Sequence, residues 1–232
     1  MQVSLIRWHM AEATVHVQAR MGSSRLPGKV LLHLGERRLV GWMVERAERS
    51  GVDDVVVTTG DRPANDAITA WCDRHGVNSY VGPESDLLTR HLGAAEAFNS
   101  DPIVRVTADC PLLPVSEIDR MVALYRSADA DYVSNMTDAM PVGIAVEVIS
   151  RAALEALATA GATHPTRRLR AEEGPWECII SPQERYLPFA DVRITVDTPA
   201  DYWSLTDAVN AVGTDPEVVM EHLKHRDVDV RL

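Results

Sequence analysis

Residues 55–59 read Val-Val-Val-Thr-Thr, an unbroken β-branched run with no polar alternation. A strand that is apolar on both faces must be covered on both, as happens in a parallel sheet flanked by helices. Comparable short runs recur at 15–17, 77–81, 102–107 and 131–134. Between them apolar residues follow helical spacing: Val40, Met43, Val44 and Ala47; Ala67, Ile68 and Trp71; Leu88, Leu92 and Ala95; Ile118, Met121, Val122 and Tyr125. Pro63 and Ser116 open two of these helices, and Gly76 closes one. This alternation predicts an α/β fold with a mostly parallel sheet and helices on both faces. After Asn135 the rhythm changes. Residues 143–149 and 192–196 read as strands, and 150–158 and 215–223 as helices, with a further helix from Pro199. Residues 159–190 contain Pro165, Pro175, Pro182 and Pro188 and read as irregular, a small lobe. Trp42, Trp71 and Trp203 fall at helical core positions.

The chain of 232 residues carries a formal net charge of −11, which argues against broad binding to nucleic acid or an anionic membrane. Cys72, Cys110 and Cys178 are far apart and form no C-x-x-C pair, so neither a zinc cage nor a disulfide framework is expected, and a reducing, cytoplasmic setting is. Residues 1–13 lack the apolar region of a signal peptide and read as a tail, and no run of about 18 apolar residues occurs.

Against this acidic background, residues 13–35 contain no Asp or Glu and hold Arg20, Arg25 and Lys29. A loop of small residues with free backbone N–H groups and three cations, following a strand, suits a polyphosphate. It is not a Walker A loop, because the spacing from Gly22 to Gly28 is too long and Val30 follows Lys29. Nor is it G-x-G-x-x-G. Two further segments match each other: 104–109 reads Val-Arg-Val-Thr-Ala-Asp and 192–197 reads Val-Arg-Ile-Thr-Val-Asp, each with Pro within two residues. Ligands of open α/β sheets sit beyond the carboxyl ends of strands, so Asp109 and Asp197 are expected beside the basic loop. Two carboxylates facing a triphosphate suit Mg²⁺. Either Asp alone reads equally well as a helix N-cap.

The stretch Gln18-Ala19-Arg20-Met21-Gly22-Ser23-Ser24-Arg25-Leu26-Pro27-Gly28-Lys29 resembles the signature loop of cytidylyltransferases, nearest the spore coat polysaccharide biosynthesis protein F branch. CMP-Kdo and CMP-sialic acid synthetases are more distant relatives. The segments 82–90, 105–112 and 195–199 match as well. The resemblance implies a Rossmann-like three-layer nucleotide-diphospho-sugar transferase fold over 14–232 and CMP transfer from CTP. It implies that Arg20 and Lys29 hold phosphates and that Ser85 and Asp86 line the cytosine pocket. Gln18, Ala19, Met21, Gly22, Ser23, Arg25, Thr107 and Ala108 would complete the nucleotide site, with Mg²⁺ on Asp109 and Asp197. Arg20, Lys29, Asp109 and Asp197 would carry catalysis.

The acceptor half departs from that pattern. The branch shows Pro-Asp-Gly-Leu-Asp before a Val-Glu-Val strand, whereas this chain has Pro141-Val142-Gly143-Ile144-Ala145. Two carboxylates are thus absent where acceptor hydroxyls would bind. A basic cluster, Arg167, Arg168 and Arg170, lies in the acid-free stretch 156–171. Together these point to a small acidic acceptor, an acidic sugar, a phosphonate or a phosphate compound. Asn135, Gly143, Glu147, Arg168 and Arg170 are the expected acceptor residues, within a 136–190 lobe that would also serve a homodimer. A glycosyltransferase of similar fold and an inactive nucleotide-binding protein are the alternatives. Cys110 reads as a packed thiol and His16 as a strand residue near the site edge.

Overall fold

The sheet grows outward from its first strand. A computed structural model describes residues 12–229; the stretch 1–11, most of the expected tail, lies outside the described residues. Strand β1 (Glu12–Gln18) runs into the basic loop and a 3-10 turn (Lys29–Leu31). A short hairpin follows, β2 (His33–Leu34) and β3 (Arg37–Arg38), then α1 (Leu39–Glu48), β4 (Asp54–Thr59), α2 (Asp66–His75), β5 (Asn78–Val81) and α3 (Leu87–Ala97). The chain continues through β6 (Ser100–Thr107), α4 (Val115–Ser127), β7 (Tyr132–Ser134), β8 (Glu147–Ile149), α5 (Arg151–Thr159), α6 (Arg167–Arg170) and β9 (Cys178–Ile180). A second 3-10 segment (Glu184–Phe189), α7 (Pro199–Val212) and α8 (Pro216–Asp229) complete it.

Seven strands form the main sheet in the order β5-β4-β1-β6-β8-β7-β9. β5, β4, β1 and β6 are mutually parallel, β8 is antiparallel to both its neighbours, and β9 is parallel to β7. This is the mostly parallel α/β sheet expected. From β1 the chain builds β4 and β5 on one side, then crosses to β6 on the other. The order therefore reverses at β1/β6, and the crevice at their carboxyl ends is where such sheets bind ligands.

Side chains alternate across the strands. Val15, Val17, Val55, Val57, Val104 and Val106 share a core with Leu39, Val40 and Met43 of α1 and Ile118 and Met121 of α4. Ile103, Tyr132 and Ile149 pack instead with Leu88 and Ala95 of α3 and Leu154 and Leu157 of α5. Each such side chain contributes about 1.5–3 kcal/mol on burial.

Five expectations need correction. Segment 192–196 is not a sheet strand; it makes one parallel bridge, Arg193 with Val142. Its alternating Val192, Ile194 and Val196 are buried, so the pattern reported core burial rather than sheet pairing. The strand expected over 143–149 shortens to β8, while the irregular stretch 159–190 contains α6 and the edge strand β9. Trp203 is 63% exposed, because the buried stripe of α7 runs through Leu205, Ala208 and Val209 and position 203 lies off it. Trp71 is buried, and half-buried Trp42 donates to Leu34 O at 2.7 Å.

His16 is not at the site edge but in the middle of β1, fully buried on the face opposite the valines. Its Nδ1 lies 3.1 Å from Nδ1 of His91 in α3, and its Nε2 3.1 Å from Ser100 Oγ. Burial lowers the His16 pKa to about 3 and that of His91 well below the usual 6.5. Both rings are thus neutral in the folded protein, one Nδ1 donating and the other accepting. On unfolding they regain ordinary basicity, so below pH 6.5 the unfolded chain binds more protons and stability decreases as the pH is lowered. Urea unfolding at pH 5 should show a loss of about 2 kcal/mol per histidine relative to pH 7. The His16→Gln/His91→Gln double variant should lose this component; an equally steep dependence in that variant would refute the assignment.

Candidate active site

The basic loop is pinned at its entry. Ala19 N donates to Thr58 O at 3.0 Å, and Ala108 N donates to Gln18 O at 2.9 Å, so the loops after β1 and β6 leave the sheet side by side. Met21 O accepts from both Ser23 N and Gly28 N at 2.9 Å. Gly28 closes this turn at φ 72°, a left-handed conformation that glycine adopts without a Cβ clash. Among the described residues, the exposed backbone N–H groups of Gly22, Ser24 and Arg25 have no protein acceptor. Those free donors are the feature an anion requires.

A second loop braces the first. Met21 N donates to Asn65 Oδ1 at 2.8 Å, and Asn65 Nδ2 donates to Glu84 Oε2 at 2.9 Å. Arg20 lies 4.0 Å from Glu84. The fully buried Arg90 holds the carbonyls of Pro83 and Glu84 at 2.6 and 2.8 Å. Asp86 caps α3 by accepting from Thr89 N, and Ser85 is exposed beside it.

Lys29 and the two aspartates meet where these loops converge. Lys29 Nζ donates to Asp109 Oδ2 at 2.6 Å and to Asp197 Oδ1 at 2.8 Å. Arg25 and Arg193 each reach Asp197 at 3.0 Å. Val196 N donates to Asp109 O at 2.8 Å, which is how a segment outside the sheet brings Asp197 to Asp109. Neither aspartate is a helix cap: Thr198 caps α7 in a capping box with Asp201, and Pro114 precedes α4. Burial disfavours the Lys29 ammonium, but Asp109 and Asp197 outweigh it and its pKa is raised. Burial would likewise raise Asp197, yet Lys29, Arg25 and Arg193 outweigh it and its pKa is lowered. Lys29 and Asp197 are therefore both charged at neutral pH. The cavity before them is about 170 Å³ and is lined by Gln18, Arg20, Ser23, Arg25, Thr107 and the Lys29–aspartate cluster.

Two hard carboxylates converging on one cation are chemically suited to Mg²⁺. Among the described residues no group of three or more His, Cys, Asp and Glu side chains is placed to hold a metal. A metal on Asp109 and Asp197 would therefore complete its shell with phosphate oxygens and water. Cys110 packs 3.3 Å from Thr107 Oγ1, and burial first, then Asp109, pushes its thiol up to about 12, so it is no nucleophile at neutral pH.

The expected acceptor residues separate into two groups. Buried Asn135 donates to Glu117 Oε2 and Ile144 O at 3.0 and 2.9 Å and accepts from Val146 N at 2.9 Å, which fixes the turn before β8. Buried Glu147 pairs with Arg105 directly across β6/β8 and accepts from Tyr132 OH at 2.7 Å. Burial alone would raise the Glu147 pKa, but Arg105, Tyr132 and Arg170 hold it below the usual range. Arg105 also donates to Gln18 Oε1 at 2.9 Å, so one network links the end of β1, where the basic loop begins, to β8. Gly143 and Arg170, with Arg167, line a second cavity of about 590 Å³; Arg168 does not. Gly143 has φ 119°, and a Cβ there would lie 2.8 Å from Ile194 C, so only glycine lets 142–143 approach the segment that carries Asp197.

Asn65, Glu84, Arg90 and Arg193 were not legible as site residues. Their partners come from distant loops, apart from the pairing of Arg193 with Asp197, which a helical i,i+4 reading would not suggest in an extended segment. Arg105 carried a usable signal, a charge within an otherwise β-branched strand.

The family model for cytidylyltransferases matches residues 14–163. The chain is 30% identical to the spore coat polysaccharide biosynthesis protein SpsF of Bacillus subtilis (strain 168), over 89% of this chain and 90% of that protein. Among solved structures, a cytidylyltransferase from Leptospira borgpetersenii superposes with a TM-score of 0.85 at 29% identity, covering 95% of this chain and 96% of that one. CMP:2-keto-3-deoxy-manno-octonic acid synthetase complexed with CTP shares the fold, with a TM-score of 0.65 at 18% identity over 86% of this chain and 99% of that one. No helix among the described residues is long and apolar enough to cross a membrane.

Replacing Lys29 with Met should leave Asp109 and Asp197 facing each other without their shared buried cation. In metal-free buffer the variant should lose about 1–3 kcal/mol of stability, a melting temperature lower by a few degrees. Added Mg²⁺ should restore more stability to the variant than to the parent. A melting temperature unaffected by the substitution would show that Lys29 does not neutralise the pair.

Proposed function

The chain belongs to the cytidylyltransferase family and is a nucleotidyltransferase; on that premise we propose that it transfers CMP from CTP to a small anionic acceptor, with Mg²⁺ and release of pyrophosphate. The observation that carries this reading is the Lys29 ammonium, held between Asp109 and Asp197 at the mouth of an acid-free loop with free N–H donors. The loop from Gln18 to Lys29 wraps the triphosphate, with Gly22, Ser24 and Arg25 offering backbone donors and Arg20 and Arg25 offering guanidinium groups. Ser85 and Asp86, on the loop that Arg90 anchors, face the base. Thr107 and Ala108 border the sugar and α-phosphate.

An acceptor oxygen attacks the α-phosphorus in line, and pyrophosphate leaves. The protein contributes positioning and charge neutralisation rather than a covalent intermediate. Lys29 and Arg20 offset the charge that grows on the leaving pyrophosphate. Asp109 and Asp197 would hold Mg²⁺, which when bound supplies Lewis-acid neutralisation of phosphate oxygens. Arg193 and the Thr198–Asp201 capping box keep the Asp197 carboxylate aimed at the cavity.

Pyrophosphate release should depend on CTP, Mg²⁺ and an acidic acceptor. Lys29→Ala, Asp109→Asn and Asp197→Asn should each lower kcat by about 10²–10³. CTP at about 100 times its Kd should stabilise the protein by roughly 2.7 kcal/mol. Greater stabilisation by ATP or UTP than by CTP would overturn the base assignment, and nucleoside diphosphate release from a sugar nucleotide would overturn the reaction class.

A further inference from the structure

The 590 Å³ cavity lined by Gly143, Arg167 and Arg170 shares no lining residue with the nucleotide crevice. Its lining includes the apolar side chains of Met136, Met140, Pro141, Val142 and Ala145, with Thr137, whose buried hydroxyl has no hydrogen-bond partner among the described residues, and exposed Asp138 between them. Arg167 and Arg170, one turn apart on α6, supply the cations. Arg170 is incompletely satisfied. Its Nε is buried with no hydrogen-bond partner, its NH1 faces the Met136 thioether at 3.0 Å, and Glu147 stands 3.6 Å away. Glu147 itself is already taken by Arg105 and Tyr132. The cavity is thus lined by two guanidinium groups beside hydrocarbon surface.

Its connection to the crevice is short. Val142 exchanges backbone hydrogen bonds with Val192 and Ile194, and that segment ends at Asp197. Gln18, Arg105, Glu147 and Arg170 form a continuous side-chain relay between the two spaces.

The same inventory lacks a base. Asp109 and Asp197 are bound by Lys29, Arg25 and Arg193, and Glu147 is held by Arg105. Among the described residues no histidine lines either cavity, and the one acid lining the second is exposed Asp138. A hydroxyl nucleophile must lose a proton as it attacks. A phosphoryl oxygen that is already ionised need not.

We propose that this cavity is the acceptor site and that it takes a phosphonate or phosphate monoester with a short aliphatic body, whose own anionic oxygen is the nucleophile. This rests on the cytidylyl-transfer reading above. The phosphoryl oxygen bonds to the α-phosphorus of CTP, the bond to the bridging oxygen of pyrophosphate breaks, and that oxygen keeps the electron pair. No proton is transferred, and the product contains a P–O–P anhydride. Arg167 and Arg170 orient the dianion through guanidinium–phosphoryl hydrogen bonds, while the Met136, Met140, Pro141, Val142 and Ala145 side chains cover the body.

The test uses the full chain with CTP and Mg²⁺, comparing propylphosphonate, propyl phosphate and glucuronate by calorimetric binding and by pyrophosphate release. Propylphosphonate or propyl phosphate should bind and turn over, glucuronate should bind at least about tenfold more weakly, and the preference between the first two identifies the phosphoryl source. Arg170→Gln should raise the KM for the favoured probe by about tenfold or more while leaving CTP affinity unchanged. Asp138→Asn should retain kcat. Tighter binding of glucuronate, indifference of both phosphoryl probes to Arg170→Gln, failure of all three to bind a CTP-loaded protein, or loss of kcat in Asp138→Asn would each overturn the proposal. Pyrophosphate release with glucuronate alone would overturn this inference but keep the transfer reading; failure to bind CTP would remove the transfer reading itself.

Discussion

Two carboxylates cannot be held together in a half-buried crevice without a counter-charge, and Lys29 provides it. Its ammonium binds both Asp109 and Asp197 from a position of 7% exposure. Bringing them together requires three chain segments to converge: the 3-10 turn after the basic loop, the end of β6, and the extended segment before α7. Much of the architecture follows from that convergence. The turn at Gly28 sets the start of the 3-10 segment, the hydrogen bond from Val196 N to Asp109 O joins the aspartates, and Gly143 lets 142–143 press against 194–195.

The two faces of the sheet divide the labour. One face of β1 is valine, and it supplies cohesion through α1 and α4. The other carries Thr14, His16 and Gln18, and each of the last two meets a polar partner from elsewhere in the fold. Burying charge on that face is tolerated because Arg105 and Glu147 lie directly across β6/β8 and Tyr132 satisfies a second carboxylate oxygen. Removing one member of such a buried pair costs more than the pair contributes, because the other charge is stranded. The polar face therefore serves to hold Gln18 and Arg170 in fixed relation, on the two sides of the crevice.

The legibility of the fold was uneven, for identifiable reasons. The β-branched run 55–59 reported a strand buried on both faces, and β4 is one. The equally regular run 192–196 reported burial correctly and pairing wrongly, because period-two burial can arise from an extended segment packed over the sheet end as well as from a strand within it. Trp203 misled because helical spacing leaves the phase of the buried stripe open when apolar residues are plentiful around the helix. At the site, Lys29, Asp109 and Asp197 stood out as a cation in an acid-free loop and as two strand-like segments ending in Asp. Asn65, Glu84, Arg90 and Arg193 did not, since nothing local marks a residue whose role is to brace another loop.

Sequence by itself determined the alternation of strands and helices, the basic character of the loop after β1, and the chemical types available to the crevice. These depend on neighbours along the chain: β-branching, side-chain period and the absence of acids over a continuous stretch. Tertiary structure decided which carboxylates were free and which were spent. Asn135 and Glu147 look alike in sequence as polar residues flanking an acceptor region, but burial obliges both to satisfy internal partners. Arg170 meets that obligation only in part, its Nε buried without a hydrogen-bond partner 3.6 Å from Glu147. A hydrogen-bonding group is used up by whatever lies within about 3 Å of it, and that is a property of the folded arrangement rather than of the chain.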